Sequence, residues 1–194
     1  MQYITVFCGS SKGSDPIYAE TAELLGKTLA EAGYGLVYGG GRVGLMGIVA
    51  NAVMQHGGKV IGIIPHFLNA SEGIAYDDIT EVRVVNTMHE RKLLMHQLSS
   101  GVIALPGGYG TMDELFEILC WAQLGLHTQP VGLLNVADYY TPLLTMVETM
   151  NRTNFLSDHN KSLLLSDTEP AALLKKMQDF KPSDATKWLD KVAL

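Results

Sequence analysis

Short apolar runs alternate with amphipathic segments along most of the chain. The first pair shows the pattern. Residues 3–8 form an apolar run typical of a buried strand, and a glycine- and serine-rich turn follows. Asp15 then offers an N-cap and Pro16 a first helical position, while Gly33 marks the end of the helix. Between them, apolar residues recur on one helical face at Tyr18, Ala22, Leu25, Leu29 and Ala32.

The same alternation continues towards the carboxyl end. Further strands are predicted at residues 35–38, 60–64, 79–85, 101–105, 131–134 and 163–165. Helices are predicted at residues 45–56, 87–98, 111–124 and 142–150, with a last one starting near residues 167–170. Residues 69–78 are polar and irregular, and the tail after Phe180 gives no clear pattern. Strands that alternate with helices imply a mainly parallel sheet covered on both faces, so we expect one three-layer, Rossmann-like α/β domain over residues 1–194.

Composition narrows the class of protein. Hydrophobic residues make up 47% and charged residues 18% of the 194, which suits a well-filled core. The net charge of −6 argues against a nucleic-acid partner. No apolar run approaches the length of a membrane span, and the chain begins with a strand pattern rather than a signal peptide. Two cysteines without paired spacing, Cys8 and Cys120, suit a reducing compartment, so we expect a soluble cytoplasmic protein.

The position of the binding site follows from the predicted sheet. Ligands of open parallel sheets bind beyond the carboxyl ends of the strands. In this sequence those ends carry glycine-rich or polar turns at residues 9–11, 39–41, 65–66, 86–87 and 106–108. We therefore expect these turns to converge on one edge of the sheet and to form the site.

The stretch from residue 105 to residue 114 is the strongest candidate for chemistry. A strand, a glycine-rich loop and a helix follow one another, a layout that directs backbone N–H groups and a helix N-terminus at an anion. Asp113 and Glu114 add two carboxylates close by, which suggests chemistry on a phosphorylated substrate. An alternative stays open: Thr111 and Glu114 also fit a capping box, in which Glu114 would only cap its helix.

Arg91 and Lys92 follow a capping box formed by Thr87 and Glu90. Cations near the start of a helix are mildly disfavoured by the helix dipole, so two adjacent ones indicate an anion nearby. The alternative is a solvated surface on which both charges point away from the protein. Their place at the carboxyl edge of the sheet favours a functional role.

Two familiar motifs match only in part. The pattern Gly39-x-Gly41-x-x-Gly44 has the letters of a dinucleotide fingerprint, but it follows the second strand and the next strand lacks a terminal acidic residue. A tight strand-to-helix turn explains it better than a dehydrogenase does. Ser11 lies in a pattern like a nucleophile elbow, yet the helix begins too late for a hydrolase triad.

Other cofactor and metal motifs are absent from the sequence. No phosphate-binding loop with a terminal lysine and serine or threonine occurs. The zinc-protease pattern after His89 fails, because Leu93 stands where the second histidine would be. We therefore predict neither a metal nor a cofactor.

Taken together, these motifs resemble those of a known family. Residues 106–114 (PGGYGTMDE) match its signature Pro-Gly-Gly-x-Gly-Thr-x-x-Glu, and residues 88–92 (MHERK) stand upstream at the expected interval. Residues 39–47, 121–125 and 130–135 also follow its pattern. The resemblance is to the LONELY GUY family, the cytokinin riboside 5′-monophosphate phosphoribohydrolases, and it covers nearly the whole chain to about residue 135. Members have often been labelled lysine decarboxylases, but no Schiff-base lysine context is recognisable here.

The resemblance implies an activity and a set of residues. The activity is hydrolysis of the N-glycosidic bond of a nucleoside 5′-monophosphate, either AMP or a cytokinin riboside 5′-monophosphate, which releases the base and ribose 5-phosphate. The family's catalytic arginine and glutamate fall on Arg91 and Glu114. Its substrate contacts fall on Glu72, Lys92, Gly107, Gly108, Gly110 and Thr111. It further implies a homodimer, with the helices after Met88 and Thr111 as interface elements. A protein that binds or carries a nucleotide without cleaving it is the alternative.

Overall fold

A computed structural model describes residues 1–69 and 78–181 of the chain. The strands are β1 (Gln2–Phe7), β2 (Tyr34–Tyr38), β3 (Val60–Pro65), β4 (Glu81–Val85), β5 (Gly101–Ala104), β6 (Val131–Leu134) and β7 (Leu164–Asp167). The helices are α1 (Pro16–Glu31), α2 (Gly44–Gln55), α3 (His66–Asn69), α4 (Met88–Leu98), α5 (Tyr109–Gln123), α6 (Thr141–Arg152), α7 (Asp158–Lys161) and α8 (Pro170–Asp179). A short 3₁₀ turn, Val136–Asp138, follows β6.

The strands form one sheet in the order β4-β3-β2-β1-β5-β6-β7, and every pair is parallel. From β1 the chain first builds outwards through β2 to β4 and then returns to add β5 on the other side. The carboxyl ends of β1 and β5 therefore lie beside each other where the order reverses, which is where open α/β sheets bind ligands.

Each face of the sheet carries its own hydrophobic core. On one face, residues such as Leu25 of α1, Val49 of α2 and Leu173 of α8 pack against the strands. On the other face, residues such as Met95 of α4 and Leu115 of α5 do so. The predicted α/β fold with a parallel sheet between two helical layers is confirmed.

The helix starts were predicted with mixed success. The Asp15 carboxylate caps α1 by accepting from the N–H of Ile17 at 3.0 Å, as expected. Thr87 likewise caps α4, since its hydroxyl accepts from the N–H of Glu90 at 3.1 Å.

The capping box proposed for Thr111 and Glu114 is wrong. Helix α5 begins at Tyr109, and the N-cap is Gly108, which has no side chain to cap with. The glycine loop turns into the helix two residues earlier than the sequence suggests. Glu114 consequently lies in the second turn and is free for another role.

Within the two described ranges, none of the helices is both long and apolar enough to cross a membrane.

Candidate active site

A cavity of about 500 Å³ opens at the carboxyl edge of the sheet, beside the point where the strand order reverses. The predicted convergence is confirmed for three of the five turns. Those after β1, β2 and β5 line this cavity with Gly9, Ser10, Gly39, Gly41 and Gly108, whereas the turns at residues 65–66 and 86–87 do not. Helices α4 and α5 supply the charged side chains. One cavity therefore gathers glycine backbone, the Arg91 cation and the carboxyl groups of Asp113 and Glu114.

Arg91, in the first turns of α4, lines the cavity. Its side chain is buried, with 10% of its surface exposed. Its Nε–H donates to the carbonyl of Ile63 at 3.1 Å, and Nη2 donates to the carbonyl of Gly39 at 3.2 Å. The ends of β2 and β3 thus hold the guanidinium in place. The alternative of a solvated surface charge is wrong for this residue.

Gly39 is required by the path of Arg91. A Cβ atom at this position would overlap Nη2 of the guanidinium. The first glycine of the Gly39-x-Gly41-x-x-Gly44 pattern therefore leaves space for an arginine side chain. This is a close-packing role of the kind expected for a tight strand-to-helix turn rather than a dinucleotide fingerprint.

Glu114 lines the same cavity and lies close to Arg91. Its Oε1 lies 3.8 Å from Nη1 of Arg91, and its side chain is 10% exposed. That separation is longer than a hydrogen bond, so each group keeps capacity for a third partner in the cavity. Burial raises the pKa of Glu114 to about 7, and the nearby Arg91 cation opposes this shift only in part. Near neutral pH the carboxyl can therefore either accept or donate a proton.

The N-terminus of α5 also lines the cavity. Tyr109, Gly110 and Thr111 are its first three residues and line the cavity. Their backbone N–H groups precede the first helical hydrogen bond, which runs from Met112 to Gly108, and the helix dipole adds positive potential there. This end of the helix can bind an anion such as a phosphate.

Gly107 lies just outside this cavity. It lines an adjoining cavity of about 320 Å³, which shares Gly9, Ser10 and Gly108 with the first. A Cβ at Gly107 would overlap the Thr111 hydroxyl, so the loop can pass this close to α5 only with glycine here.

The structure therefore brings together most of the predicted site. Arg91, Glu114, Gly108, Gly110 and Thr111 line one cavity. Glu72 lies outside the described residues.

Lys92 is placed differently from its neighbour. It is buried, so the solvated-surface alternative is wrong here too, but it does not line the cavity. Its ammonium lies 2.9 Å from Asp113 Oδ2 and 3.1 Å from Glu117 Oε1 on α5. Burial alone would lower the pKa of Lys92, but its hydrogen bonds to these two carboxylates outweigh that effect and raise it. In this structure Lys92 ties α4 to α5, and its contact with substrate stays a prediction.

The apolar wall of the cavity was not predicted from the sequence. Phe7, Met46, Ile64, Met88 and Met95 line it. In a sequence, such residues cannot be told from the core, because strand ends and helix faces are apolar in either case. This wall suits a flat, weakly polar group such as a nucleobase.

Cys8 also lines the cavity, at the end of β1. Burial raises the pKa of its thiol, and the neighbouring Glu114 raises it further. The thiol is therefore protonated at neutral pH and is a poor nucleophile.

No group of three or more histidine, cysteine or acidic side chains with the geometry of a metal site occurs among the described residues.

The chain is similar to proteins of a known family. A family model described as "Possible lysine decarboxylase" matches residues 46–177. The probable cytokinin riboside 5′-monophosphate phosphoribohydrolase LOGL2 of Oryza sativa subsp. japonica is 45% identical over 92% of this chain and 73% of its own length. The cytokinin riboside 5′-monophosphate phosphoribohydrolase LOG7 of Arabidopsis thaliana is 46% identical over 92% of this chain and 82% of its own.

Solved structures with the same fold are more distant in sequence. The molybdenum cofactor binding protein of the phototrophic bacterium Rippkaea orientalis superimposes with a TM-score of 0.68 at 23% identity, over 92% of this chain and 97% of that one. This likeness shows a shared fold and carries no information about function.

Proposed function

Because the chain belongs to the LONELY GUY (LOG) family of cytokinin riboside 5′-monophosphate phosphoribohydrolases, we propose that Arg91 and Glu114 form the catalytic pair of such an enzyme. The protein hydrolyses the N-glycosidic bond of a nucleoside 5′-monophosphate and releases the free base and ribose 5-phosphate. The observation that carries the assignment of the pair is its geometry. A buried arginine and a buried carboxyl lie 3.8 Å apart in a cavity that ends at the N-terminus of α5.

The substrate phosphate would bind at the start of α5. The free N–H groups of Gly110 and Thr111 and the positive end of the helix dipole suit a phosphate dianion. Binding energy from this non-reacting group can orient the ribose against the catalytic residues. The base would then occupy the apolar wall that includes Met46 and Met95.

Bond cleavage calls for the chemistry that Glu114 offers. As the bond from C1′ to the base breaks, its electron pair leaves with the base and the ribose gains oxocarbenium character. An ionised carboxylate can stabilise this cation and take a proton from the water that attacks C1′. Glu114 then passes this proton to the base, which leaves as a neutral molecule, and the carboxylate is regenerated. The pKa of about 7 keeps a useful fraction of Glu114 in each protonation state near neutral pH.

Arg91 would position the substrate and offset its negative charge. Two of its nitrogen atoms are held by the carbonyls of Gly39 and Ile63, which leaves Nη1 as the group nearest to Glu114. A preorganised cation of this kind needs little rearrangement as charge develops on the leaving base.

The structure gives no support to a lysine decarboxylase. A lysine that forms a Schiff base must lose its proton, which requires a lowered pKa. The pKa of Lys92, the lysine buried between α4 and α5, is instead raised by two carboxylates. Its amine is held in the protonated form.

A product assay tests the proposed function. The purified protein is incubated with AMP, with isopentenyladenine riboside 5′-monophosphate and with the two corresponding nucleosides, and free base is quantified by chromatography. We expect base from one or both nucleotides and far less from the nucleosides, because the phosphate is bound at α5. Binding of a nucleotide without release of base would identify a carrier instead.

A homodimer through α4 and α5 is a second part of the proposal. These helices expose apolar side chains, among them Leu93 and Phe116, which a partner subunit could cover. Light scattering should give twice the chain mass of 21.1 kDa. Phe116→Asp should shift the protein towards the monomer, and a wild-type monomer at micromolar concentration would contradict the proposal.

The location and the kind of partner complete the proposal. Both cysteines are free thiols, Cys8 buried and Cys120 exposed, which supports a reducing compartment such as the cytoplasm. The net charge of −6 supports a small-molecule partner rather than a nucleic acid. Fractionation of cells that express the tagged protein would test the location.

A further inference from the structure

Two adjacent tyrosines hold the loop that leads into α5. The hydroxyl of Tyr140 donates to the carbonyl of Leu105 at 2.6 Å, and the hydroxyl of Tyr139 donates to the carbonyl of Gly107 at 2.6 Å. Both hydrogen bonds are short, and both join residues more than 30 positions apart. The tyrosines belong to the loop between β6 and α6, which sequence reasoning did not connect with the site.

The carbonyl between these two is also occupied. The N–H of Gly9, at the end of β1, donates to the carbonyl of Pro106 at 3.0 Å. Three successive carbonyls of the loop are thus committed to hydrogen bonds outside it. Because each peptide unit is planar, fixing a carbonyl also fixes the N–H of the next residue. The carbonyl of Gly107 thereby orients the N–H of Gly108, the N-cap residue that leads into α5 and lines the cavity.

The loop that carries the tyrosines is itself strained and strongly braced. Ala137 and Asp138 both have left-handed backbone angles, with φ of 47° and 58°, which non-glycine residues rarely adopt. The buried Asn135 side chain supports them by accepting from the N–H of Tyr140 at 2.7 Å and donating to Thr141 at 3.1 Å. Strained segments persist where the surrounding structure holds them, and they cluster at functional sites.

The aromatic rings add rigidity in the same place. The ring of Tyr139 meets the ring of Tyr140 edge to face at 4.9 Å and that of Tyr18 at 6.0 Å. The ring contacts therefore fix the position of Tyr139, and its hydroxyl bonds to the loop at the Gly107 carbonyl. A phenylalanine at this position would keep the ring contacts and lose only the hydrogen bond.

We propose that Tyr139 and Tyr140 are positioning residues, which hold the carbonyls of Gly107 and Leu105 so that the first N–H groups of α5 face the substrate phosphate. The inference rests on the proposed function, since it concerns the phosphate of the nucleotide. The tyrosines act through the loop and need not touch the substrate. Their loss should weaken the binding of the phosphate-bearing part of the ligand in particular.

Calorimetric binding of the two products separates this role from a merely structural one. Ribose 5-phosphate reports on the phosphate site, and adenine reports on the base site. For Tyr139→Phe we expect the Kd of ribose 5-phosphate to rise about five- to tenfold, the scale of one hydrogen bond, with the Kd of adenine unchanged. KM for the nucleotide should rise by a similar factor while kcat changes less. Tyr34→Phe, at the amino end of β2, is the matched control and should change neither constant.

The outcomes are distinguishable. If wild-type protein binds ribose 5-phosphate and Tyr139→Phe binds it equally well, or if adenine binding weakens in parallel, the positioning role is refuted. A wild-type protein that binds no ribose 5-phosphate would overturn the proposed function and this inference together. Tyr140→Phe provides a second test with the same expected selectivity. Because Tyr140 is buried, this substitution can also affect folding. The denaturation midpoint of the variant is therefore measured as well, and binding is compared only under conditions in which both proteins are folded.

Discussion

Replacing Glu114 by glutamine should change the stability of the protein in a way that depends on pH. Burial raises the pKa of this carboxyl from its ordinary value of 4.5 to about 7, and Arg91 opposes the rise only in part. The folded state therefore binds the proton more tightly than the unfolded state does. This preference stabilises the fold fully below the unfolded pKa, and the stabilisation is lost as the pH rises through the folded pKa.

The size of the effect follows from the two pKa values. As the pH rises from about 5 to about 8, ionisation of the wild-type carboxyl should lower the free energy of unfolding by about 2–3 kcal/mol. An amide does not titrate, so Glu114→Gln escapes this loss. The variant has a constant offset as well, because Arg91 loses its nearest carboxylate. That offset does not vary with pH, so the change in the difference between the two proteins isolates the titration.

Urea denaturation at constant ionic strength measures this difference. The free energy of unfolding is determined for wild type and Glu114→Gln at several pH values between about 5 and 8. We expect the variant to gain about 2–3 kcal/mol relative to wild type over this range. Glu23→Gln is the matched control, since this glutamate of α1 is exposed and keeps its hydration on folding. A difference between Glu114→Gln and wild type that stays flat with pH would refute the argument that burial holds a proton on Glu114.

Three further substitutions test the framework around the site. Arg91→Ala should lower kcat/KM for the nucleotide at least about 100-fold, because a positioned charge is lost; a near-normal rate of base release would count against its role. Gly39→Ala should lower the rate at least about tenfold in a folded protein, because the new methyl displaces the Arg91 guanidinium; unchanged kinetics would show that the arginine can take another path. Thr5→Val should destabilise the fold by about 1–2 kcal/mol in thermal denaturation, because the buried hydroxyl bonds to Met95 and Ser99 of the α4 end; an unchanged midpoint would show that these bonds contribute nothing net.

The layout of the fold could be predicted because it depends on local pattern. Apolar runs predicted the strands to within two residues at either end, as for β1, predicted at residues 3–8 and found at Gln2–Phe7. Side-chain caps such as Asp15 and Thr87 also carry a local signal, and both were predicted correctly. The start of α5 was missed because its N-cap is Gly108, where backbone conformation decides and no side chain reports it.

The site residues that could be predicted are those that lie within recognisable sequence motifs. Arg91 and Glu114 lie in stretches that stand out in the sequence. The groups that fix Arg91 are the backbone carbonyls of Gly39 and Ile63, and a backbone carbonyl leaves no signal because every residue has one. Likewise, nothing near Lys92 in the sequence indicates that Asp113 and Glu117 will surround it. Such long-range polar contacts depend on how the helices pack on the sheet. They therefore cannot be predicted from the local sequence around either residue.

The loop after β6 could have been included in the predicted site. Its strand ends at the same edge as β1 and β5, so its following residues were candidates by the rule that located the other turns. It has no glycine motif, and nothing else in its sequence marks it as part of the site. The role of Tyr139 became visible only through its bond to the Gly107 carbonyl.

We propose that the Glu114 carboxyl, beside Arg91, takes part directly in cleaving a bound nucleoside 5′-monophosphate. The most direct measurement is the single-turnover rate of base release by Glu114→Gln, with the Kd of the nucleotide determined on the same protein. We expect the rate to fall about 10²- to 10⁴-fold while the Kd stays within about threefold, since the phosphate is bound elsewhere. If the variant releases base at close to the wild-type rate, Glu114 has no part in the mechanism.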